Sequence, residues 1–237
     1  VYMDKPGSEN CSEFHRMCDI AKAKNLVLCL GYMYRYNPAV VHAKKLKDEG
    51  KLGEIFSVEA QMSVRHENDK RNWLGRFKGG MLYFLGCHLI DLVVMFCGFP
   101  EEVIPFNMNT GIEGNNSRDY GFAVYKYKNG ISFVKTTATE INGYDRRQLV
   151  VTGSLGTIEI RPLEINVENG LLMTKARETL NNEKAWEDNS TALEFPKFGR
   201  YEEMFKSFAE YVRGEKENPY TYEYEAKLHD LIMKSCE

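Results

Sequence analysis

The stretch Phe56-Ser57-Val58-Glu59-Ala60-Gln61-Met62-Ser63-Val64 decides the fold. Every even position is apolar and Ser57, Glu59, Gln61 and Ser63 point the other way, a period of two held over nine residues. That pattern predicts a long strand in a sheet with one covered face and one polar face. On its upstream side Asn37 caps and Pro38 opens a helix that Gly50 ends, since proline is tolerated where a helical amide has no partner anyway. Further upstream, Val1 to Met3 and Leu26 to Leu30 read as strands, the second without polar alternation, as in a parallel strand covered on both faces. Between them Ser8 is the expected N-cap of a helix whose buried face is Cys11, Phe14, Cys18 and Ala21, with Asn25 left-handed at its end. Residues 1–36 are thus one β-α-β unit.

Downstream of the deciding strand, residues 65–78 read as a charged loop that delivers the chain to Gly79-Gly80. Met81 to Phe99 is the most apolar stretch and reads as a buried helix ended by Gly98 and Pro100; Gly86, His88 and Asp91 argue against a membrane span. From Glu102 to Ala176 the chain is β-rich. Asn129-Gly130, Ser154-Leu155-Gly156 and Asn169-Gly170 mark hairpins, the first a type I′ signal, so this part is expected to form an antiparallel meander. Residues 178–197 are mostly polar, with Trp186, and read as loop. Tyr201, Met204, Phe205, Phe208 and Val212 trace an amphipathic helix stopped at Gly214, and a last helix covers roughly residues 223–235. The fold class is α+β: a β-α-β stub, then a large, mostly antiparallel open sheet with helices on one side.

Of the 237 residues, 43% are hydrophobic and 27% charged, and the net charge is −3, which excludes a disordered tail protein and advertises neither nucleic acid nor an anionic membrane as partner. Six scattered cysteines are too few for a disulfide scaffold, and the absence of C-x-x-C or H-E-x-x-H spacing gives no expectation of a metal site. A reducing cytoplasm and a small-molecule ligand fit. The 19 glycines form neither G-x-G-x-x-G nor a P-loop, so no phosphate cradle is legible.

Two places carry possible chemistry. Lys5 follows a strand read as parallel, at the end where open α/β sheets place ligand crevices; otherwise it is a solvated turn charge. His88 and Asp91 are the ionisable side chains of the apolar helix, three apart on one stripe with Phe84 one turn before His88. They are either satisfied buried polar groups or a proton carrier at a cleft. Arg65, His66, Trp73 and Arg76 flank them in the preceding loop.

Asp4-Lys5-Pro6, Gly31-Tyr32-Met33-Tyr34-Arg35-Tyr36-Asn37-Pro38, Leu52-Gly53-Glu54-Ile55, Gly79-Gly80-Met81-Leu82-Tyr83-Phe84-Leu85-Gly86-Cys87-His88-Leu89-Ile90-Asp91 and Val151-Thr152-Gly153 with Gly156-Thr157-Ile158 occur in this order over nearly the whole chain. They resemble the glucose-fructose oxidoreductase, inositol dehydrogenase and rhizopine catabolism (Gfo/Idh/MocA) family. The resemblance implies that residues 1–36 are the C-terminal remnant of a Rossmann dinucleotide-binding domain and residues 37–237 a substrate-binding and oligomerisation domain. It implies catalytic roles for Lys5 and His88, substrate contacts for Asp91, His66, Arg65 and Tyr144, and a nicotinamide edge lined by Lys5, Pro6 and Trp73. NAD or NADP is the implied cofactor, its main site lying in a segment before Val1, so that this chain alone is expected to be inactive and to bind NAD(P) weakly. The implied activity is hydride transfer to or from a sugar, cyclic polyol or related carbonyl compound. Phe84 stands where many of these dehydrogenases have an aspartate, which leaves open a non-catalytic sugar-binding homologue, or NAD-assisted glycoside cleavage. The implied assembly is a homo-oligomer through the open sheet, with Ser57, Glu59, Thr136 and Ala138 expected on the contact face.

Overall fold

The structure, a computed structural model, describes residues 1–181 and 186–237. At the front, β1 (Tyr2–Met3) and β2 (Cys29–Leu30) pair in parallel, Tyr2 opposite Cys29, with α1 (Cys11–Ala23) between them. The second strand is shorter than its apolar run. The cap of α1 is Asn10, whose side chain accepts from the Glu13 amide, while Ser8 accepts from the Asn10 amide instead. Phe14, Cys18 and Ala21 are buried and Asn25 is left-handed, as the spacing predicts.

Next come α2 (Pro38–Asp48), capped by Asn37, and β3 (Ile55–Gln61). The expected loop at 65–78 contains a short helix, α3 (Asn68–Leu74), because Arg71 turns inward to Asp119 at 2.8 Å and to Glu113 at 2.9 Å. The apolar helix opens with a π-helical turn over Leu82–Gly86 before α4 (Cys87–Cys97). Gly79 and Gly80 precede it with positive φ, and a Cβ on Gly80 would sit 2.1 Å from the Arg118 carbonyl oxygen. From Cys87 to Phe96 every residue of α4 is buried.

The β-rich part supplies β4 (Glu102–Met108), β5 (Tyr120–Tyr127), β6 (Gly130–Thr137), β7 (Gln148–Gly153), β8 (Gly156–Ile160), β9 (Ile165–Asn166), β10 (Leu172–Met173), β11 (Lys175–Leu180) and β12 (Thr191–Glu194). Eight strands form one sheet in the order β12-β11-β8-β7-β3-β6-β5-β4. It is mixed: β3 is inserted between β6 and β7, parallel to β6 and antiparallel to β7, and so breaks the expected meander in two. The region read as loop at 178–197 holds the end of β11 and all of β12, which pair antiparallel; its residues 182–185 lie outside the described ones. In the β5–β6 hairpin Tyr127 faces Gly130, so the turn is Lys128-Asn129, one residue earlier than the Asn-Gly signal, and neither residue has positive φ. Glycine is needed at 130 because a Cβ there would lie 2.0 Å from the Phe56 carbonyl oxygen. Asn169 and Gly170 are both left-handed, the geometry that a type I′ turn requires.

Helices α4 and α6 (Tyr222–Ser235) cover one face of the sheet, where Val58, Ala60, Ala123, Tyr125, Val134, Leu149, Val151, Ile158 and Ile160 are all fully buried. Burying the valine, leucine and isoleucine side chains among them is worth roughly 1.5–3 kcal/mol each. Thr136 and Ala138 also point into the protein, against the expectation that they face outward. The outward face carries Ile104, Phe106, Met108 and Ile131, all exposed, with Phe122 stacked on Phe133. Gln61 and Ser63, on the polar side of the deciding strand, are buried as well. Helix α5 (Glu202–Arg213) buries Met204, Ser207 and Tyr211; Tyr201, Phe205 and Val212, predicted as its inner face, are exposed, with Phe205 against Tyr2. No helix among the described residues is long and apolar enough to cross a membrane.

Candidate active site

The carboxyl ends of the parallel strands β1 and β2 open onto a cleft of about 300 Å³ whose far wall is built by Met62 and Val64 just past β3, the π turn, His88 of α4, and Tyr144, Arg147 and Glu164. Lys5, just past β1, donates through Nζ to the Phe84 carbonyl oxygen, and its ammonium lies 4.6 Å from the Phe84 ring centre. Helices change hydrogen-bond register at π turns, a feature frequent at functional sites. Here the turn separates Phe84 from His88. The Phe84 ring packs on Trp73 and His66, whereas His88 lies edge-on to Tyr34 at 5.2 Å and Tyr32 at 5.9 Å.

His88 is 3% exposed. Burial pushes its pKa well below the ordinary imidazole value, and the positive charges of Lys5, Arg147, Arg200 and Arg35 push the same way. Its ring is therefore neutral at pH 7, with one nitrogen to donate a hydrogen bond and one to accept. His66 is also shifted down, by burial first and then by Lys70 and Arg147.

Opposite Lys5, the buried Glu164 carboxylate collects three donors on one oxygen: Tyr34 Oη at 2.5 Å, Arg147 Nη1 at 2.5 Å and Arg200 Nη2 at 2.8 Å. The Arg147 guanidinium also stacks 3.9 Å over the Tyr144 ring. Among the described residues, eight buried side-chain polar atoms have no hydrogen-bond partner, and three of them, His66 Nε2, His88 Nδ1 and Arg147 Nε, belong to walls of this one cleft. Unpaired buried polar atoms are costly, and their clustering marks this cleft as a candidate site for a polar ligand. A larger hollow of about 390 Å³ beside the β7–β8 hairpin is lined by Gly153–Thr157, Thr179 and Asn181, with no ionisable side chain.

Of the residues expected in the site, Lys5, His88, His66 and Tyr144 line the cleft together. Asp91 does not: it is 1% exposed and holds Arg35 through contacts of 2.7 and 3.0 Å. Arg65 is drawn to Glu113 at 2.8 Å, outside the cleft. Pro6 is buried beside Lys5 without lining the cleft, and Trp73 lies one ring further out, against Phe77 and Phe84 with Lys70 Nζ 3.6 Å over its face. The residues that sequence reasoning missed are Asp4, Tyr34, Arg147, Glu164, Arg200 and Tyr201. Asp4 and Tyr34 stood inside recognised motifs; the others carry no local signal. Away from the cleft, one ring nitrogen of His229, the Cys11 thiol and an Asp230 carboxylate oxygen lie within 4.8 Å of one another, a trio of metal-ligand types that no spacing announced.

Residues 40–159 match the family model for the GFO/IDH/MocA C-terminal domain. The uncharacterized oxidoreductase C26H5.09c of Schizosaccharomyces pombe is 31% identical over 105 residues, 44% of this chain and 28% of that one. Levoglucosan dehydrogenase of Pseudarthrobacter phenanthrenivorans is 31% identical over 106 residues, 41% of this chain and 27% of that one. The first three relatives are matched over only 28–30% of their own length. Over the whole chain, the uncharacterized oxidoreductase YdgJ of Escherichia coli is 23% identical, with 71% of its length covered. Among solved structures, aldose-aldose oxidoreductase from Caulobacter crescentus complexed with glycerol superposes with TM-score 0.79 at 16% identity, covering 100% of this chain and 69% of that one. A levoglucosan dehydrogenase complex with NADH and levoglucosan gives TM-score 0.75 at 19% identity, covering 100% and 71%. At these identities the superpositions show a shared fold.

Proposed function

The chain belongs to the Gfo/Idh/MocA family of oxidoreductases, and from that premise we propose that it is the substrate-binding and catalytic portion of an NAD(P)-dependent dehydrogenase. The substrate is a sugar, a cyclic polyol or a related carbonyl compound. Residues 1–36 then serve as the last part of the dinucleotide-binding domain and residues 37–237 as the substrate domain. The observation that carries this reading is that Lys5 and His88, the latter with a buried Nδ1 that has no hydrogen-bond partner, line one cleft at the carboxyl ends of parallel strands.

The residues present fit the nicotinamide end of the cofactor, since Lys5 and Pro6 follow β1 and Lys5 faces the cleft; the pyrophosphate finds no Gly-rich turn in this sequence. When bound, the nicotinamide supplies the hydride acceptor or donor. The protein's own work is at the reacting oxygen. Lys5, positioned by the Phe84 carbonyl, holds a proton at Nζ where it can be shared with a substrate hydroxyl or carbonyl oxygen. Neutral His88 offers a nitrogen to the same or the adjacent oxygen, which fixes which carbon faces the cofactor. Assembly into a homo-oligomer through the apolar outer face of the sheet accords with the exposed Ile104, Phe106 and Met108 of the edge strand β4 and Ile131 of β6.

Steady-state kinetics on the full-length protein, following NAD(P)H absorbance against a panel of sugars and polyols, test the reading. Lys5→Met is expected to lower turnover by about 100 to 10,000-fold, the range for removing an acid or base, and His88→Asn by less, with part of its effect on KM. An unchanged turnover in Lys5→Met would refute the assignment. A second reading, a sugar-binding protein without catalysis, draws on Phe84, which leaves Lys5 with a carbonyl and a ring as neighbours in place of a carboxylate. Binding of sugars with no absorbance change for any of them would establish it.

A further inference from the structure

The charge in the cleft does not balance. Its lining contains the cations Lys5, Arg147 and Arg200 and the anions Asp4 and Glu164, with two imidazoles shifted toward the neutral form. Asp4 is exposed, and one of its oxygens accepts from the Lys5 backbone amide, so water screens much of its charge. Glu164 serves two guanidinium groups at once, through a single oxygen. That leaves a net positive charge among groups of which Arg147 is 4% and Glu164 1% exposed. Arg147 Nε is buried with no partner, and among the described residues no carboxylate lies within ion-pair distance of Lys5 Nζ. A buried surplus cation is expensive unless an anion joins it.

We propose that the substrate of this cleft carries a carboxylate, as in a uronic or aldonic acid, which binds beside Arg147 and Arg200 and so places its reacting hydroxyl or carbonyl at Lys5 and His88. The inference rests on the reading of the cleft as the substrate site. A guanidinium fork matches a carboxylate edge with paired hydrogen bonds, so two arginines round one glutamate are suited to a second carboxylate. The surplus on the Arg147–Glu164–Arg200 cluster is one positive charge, which one carboxylate cancels, while Lys5 stays free for the reacting oxygen. The volume of about 300 Å³ is at the small end for ligand sites and accommodates a single sugar-sized acid. A neutral polyol satisfies the orphaned hydrogen-bonding atoms and leaves the charge uncompensated.

The test is calorimetric titration of the full-length protein, without added cofactor, with D-glucuronate, D-galacturonate and D-gluconate against D-glucose, D-galactose and sorbitol, and with D-glucose 6-phosphate as a further arm. At least one acid is expected to bind about tenfold or more tightly than its neutral counterpart, and to weaken as salt rises from about 50 to 500 mM. Arg200→Gln should lower the affinity for the acid by about tenfold and leave the neutral sugars where they were. Arg147→Gln should do more, and if it fails to fold, the partly exposed Arg200 carries the test alone. Equal or tighter binding of the neutral sugars, tighter binding of the phosphate, no binding of any acid, or an acid affinity indifferent to Arg200→Gln would each overturn the proposal. Because no cofactor is present, these outcomes are separate from those for turnover: an acid that binds but is never oxidised or reduced leaves this inference standing and removes the dehydrogenase reading.

Discussion

Two clusters of buried charge lie along α4, one at Asp91 and one beside His88, and their stoichiometry is inverted. In the first, one cation serves two anions: Arg35 reaches Asp91 at 2.7 Å and Glu225 at 2.6 Å, with its guanidinium 3.6 Å from the Tyr220 ring and 4.5 Å from Tyr32. In the second, two cations serve one anion, Arg147 and Arg200 on Glu164. The first is closed, since Arg35, Asp91 and Glu225 are all nearly inaccessible and none lines the cleft. The second opens onto the cleft and leaves Arg147 Nε without a partner. What distinguishes a structural cluster from a binding one is therefore whether its hydrogen-bonding capacity is used up inside the protein. Asp91, which its place in the apolar helix marks as a site residue, belongs by this criterion to the scaffold: it ties α4 through Arg35 to α6.

The largest effect that can break the comparison is on folding. Arg35→Met strands two buried carboxylates and is expected to cost about 3–5 kcal/mol, enough to abolish much of a domain's stability, as read by urea unfolding. Asp91→Asn should lower stability as well and leave KM unchanged in whatever protein remains folded. A KM effect at full stability would put Asp91 back in the site.

Next in size is the response to acid. Buried His88 and His229 both have pKa values lowered chiefly by burial, so as pH falls through about 6.5 the unfolded chain takes up protons that the folded one refuses. Stability contributed by the neutral rings is thus present above pH ~6.5 and lost below it, by up to about 1.4 kcal/mol per pH unit for each ring. Burial pushes Asp91 the other way, from 3.8 up to about 6, in spite of Arg35. That raised carboxyl makes stability fall as pH rises from about 4 to 6, and it is silent above. Between pH 6 and 7 the histidines therefore act alone, and the unfolding midpoint should drop on acidification. His88→Asn should flatten that drop; a midpoint independent of pH over this window would show that the rings are accessible to protons in the folded state.

How legible each part was follows from the distance over which its interactions run. The Asn37-Pro38 cap and the left-handed Asn169-Gly170 turn are short-range features present in the structure, and the period-two pattern read at 56–64 gives a strand over Ile55–Gln61 with Val58 and Ala60 buried, although Phe56 is exposed and Gln61 and Ser63 are buried. Errors begin where a distant group overrides a local preference. The hairpin at 127–130 shifts by one residue because Gly130 must pass the Phe56 carbonyl, and the loop at 65–78 gains a helix because Arg71 finds Asp119 across 48 residues. The open cluster was invisible for the same reason. Glu164 meets Arg147, Arg200 and Tyr34 over separations of 17, 36 and 130 residues, and nothing near any of them in sequence announces the others. Lys5 and His88 were legible from local features, a strand's carboxyl end and an ionisable group in an apolar helix, and the motifs shared with a family gave them their roles. The expectation that Phe84 would sit on His88 failed because α-helical spacing was assumed where the chain makes a π turn.

The smallest expected effect comes from adding one negative charge to the cleft, away from the open cluster. Phe84→Asp places a carboxylate close to Lys5, whose ammonium now lies 4.6 Å from the Phe84 ring, and near Lys70, which lies 4.7 Å from it. At that separation a new charge would be worth a few kcal/mol in a partly buried setting and well under that where water enters, so the cleft should lose about tenfold or less of its affinity for an acidic ligand. Losing the ring also removes contacts with Trp73 and His66, and an aspartate alone cannot separate charge from packing. Phe84→Asn supplies the control, since it removes the same ring and adds no charge. Titration of both variants with an acid and its neutral counterpart should show the acid weakened in Phe84→Asp relative to Phe84→Asn, with the neutral sugar equal in the two. Equal acid affinities would mean that the field of the cleft is set by the arginines alone and that Lys5, although it shares the cleft, is already neutralised by solvent.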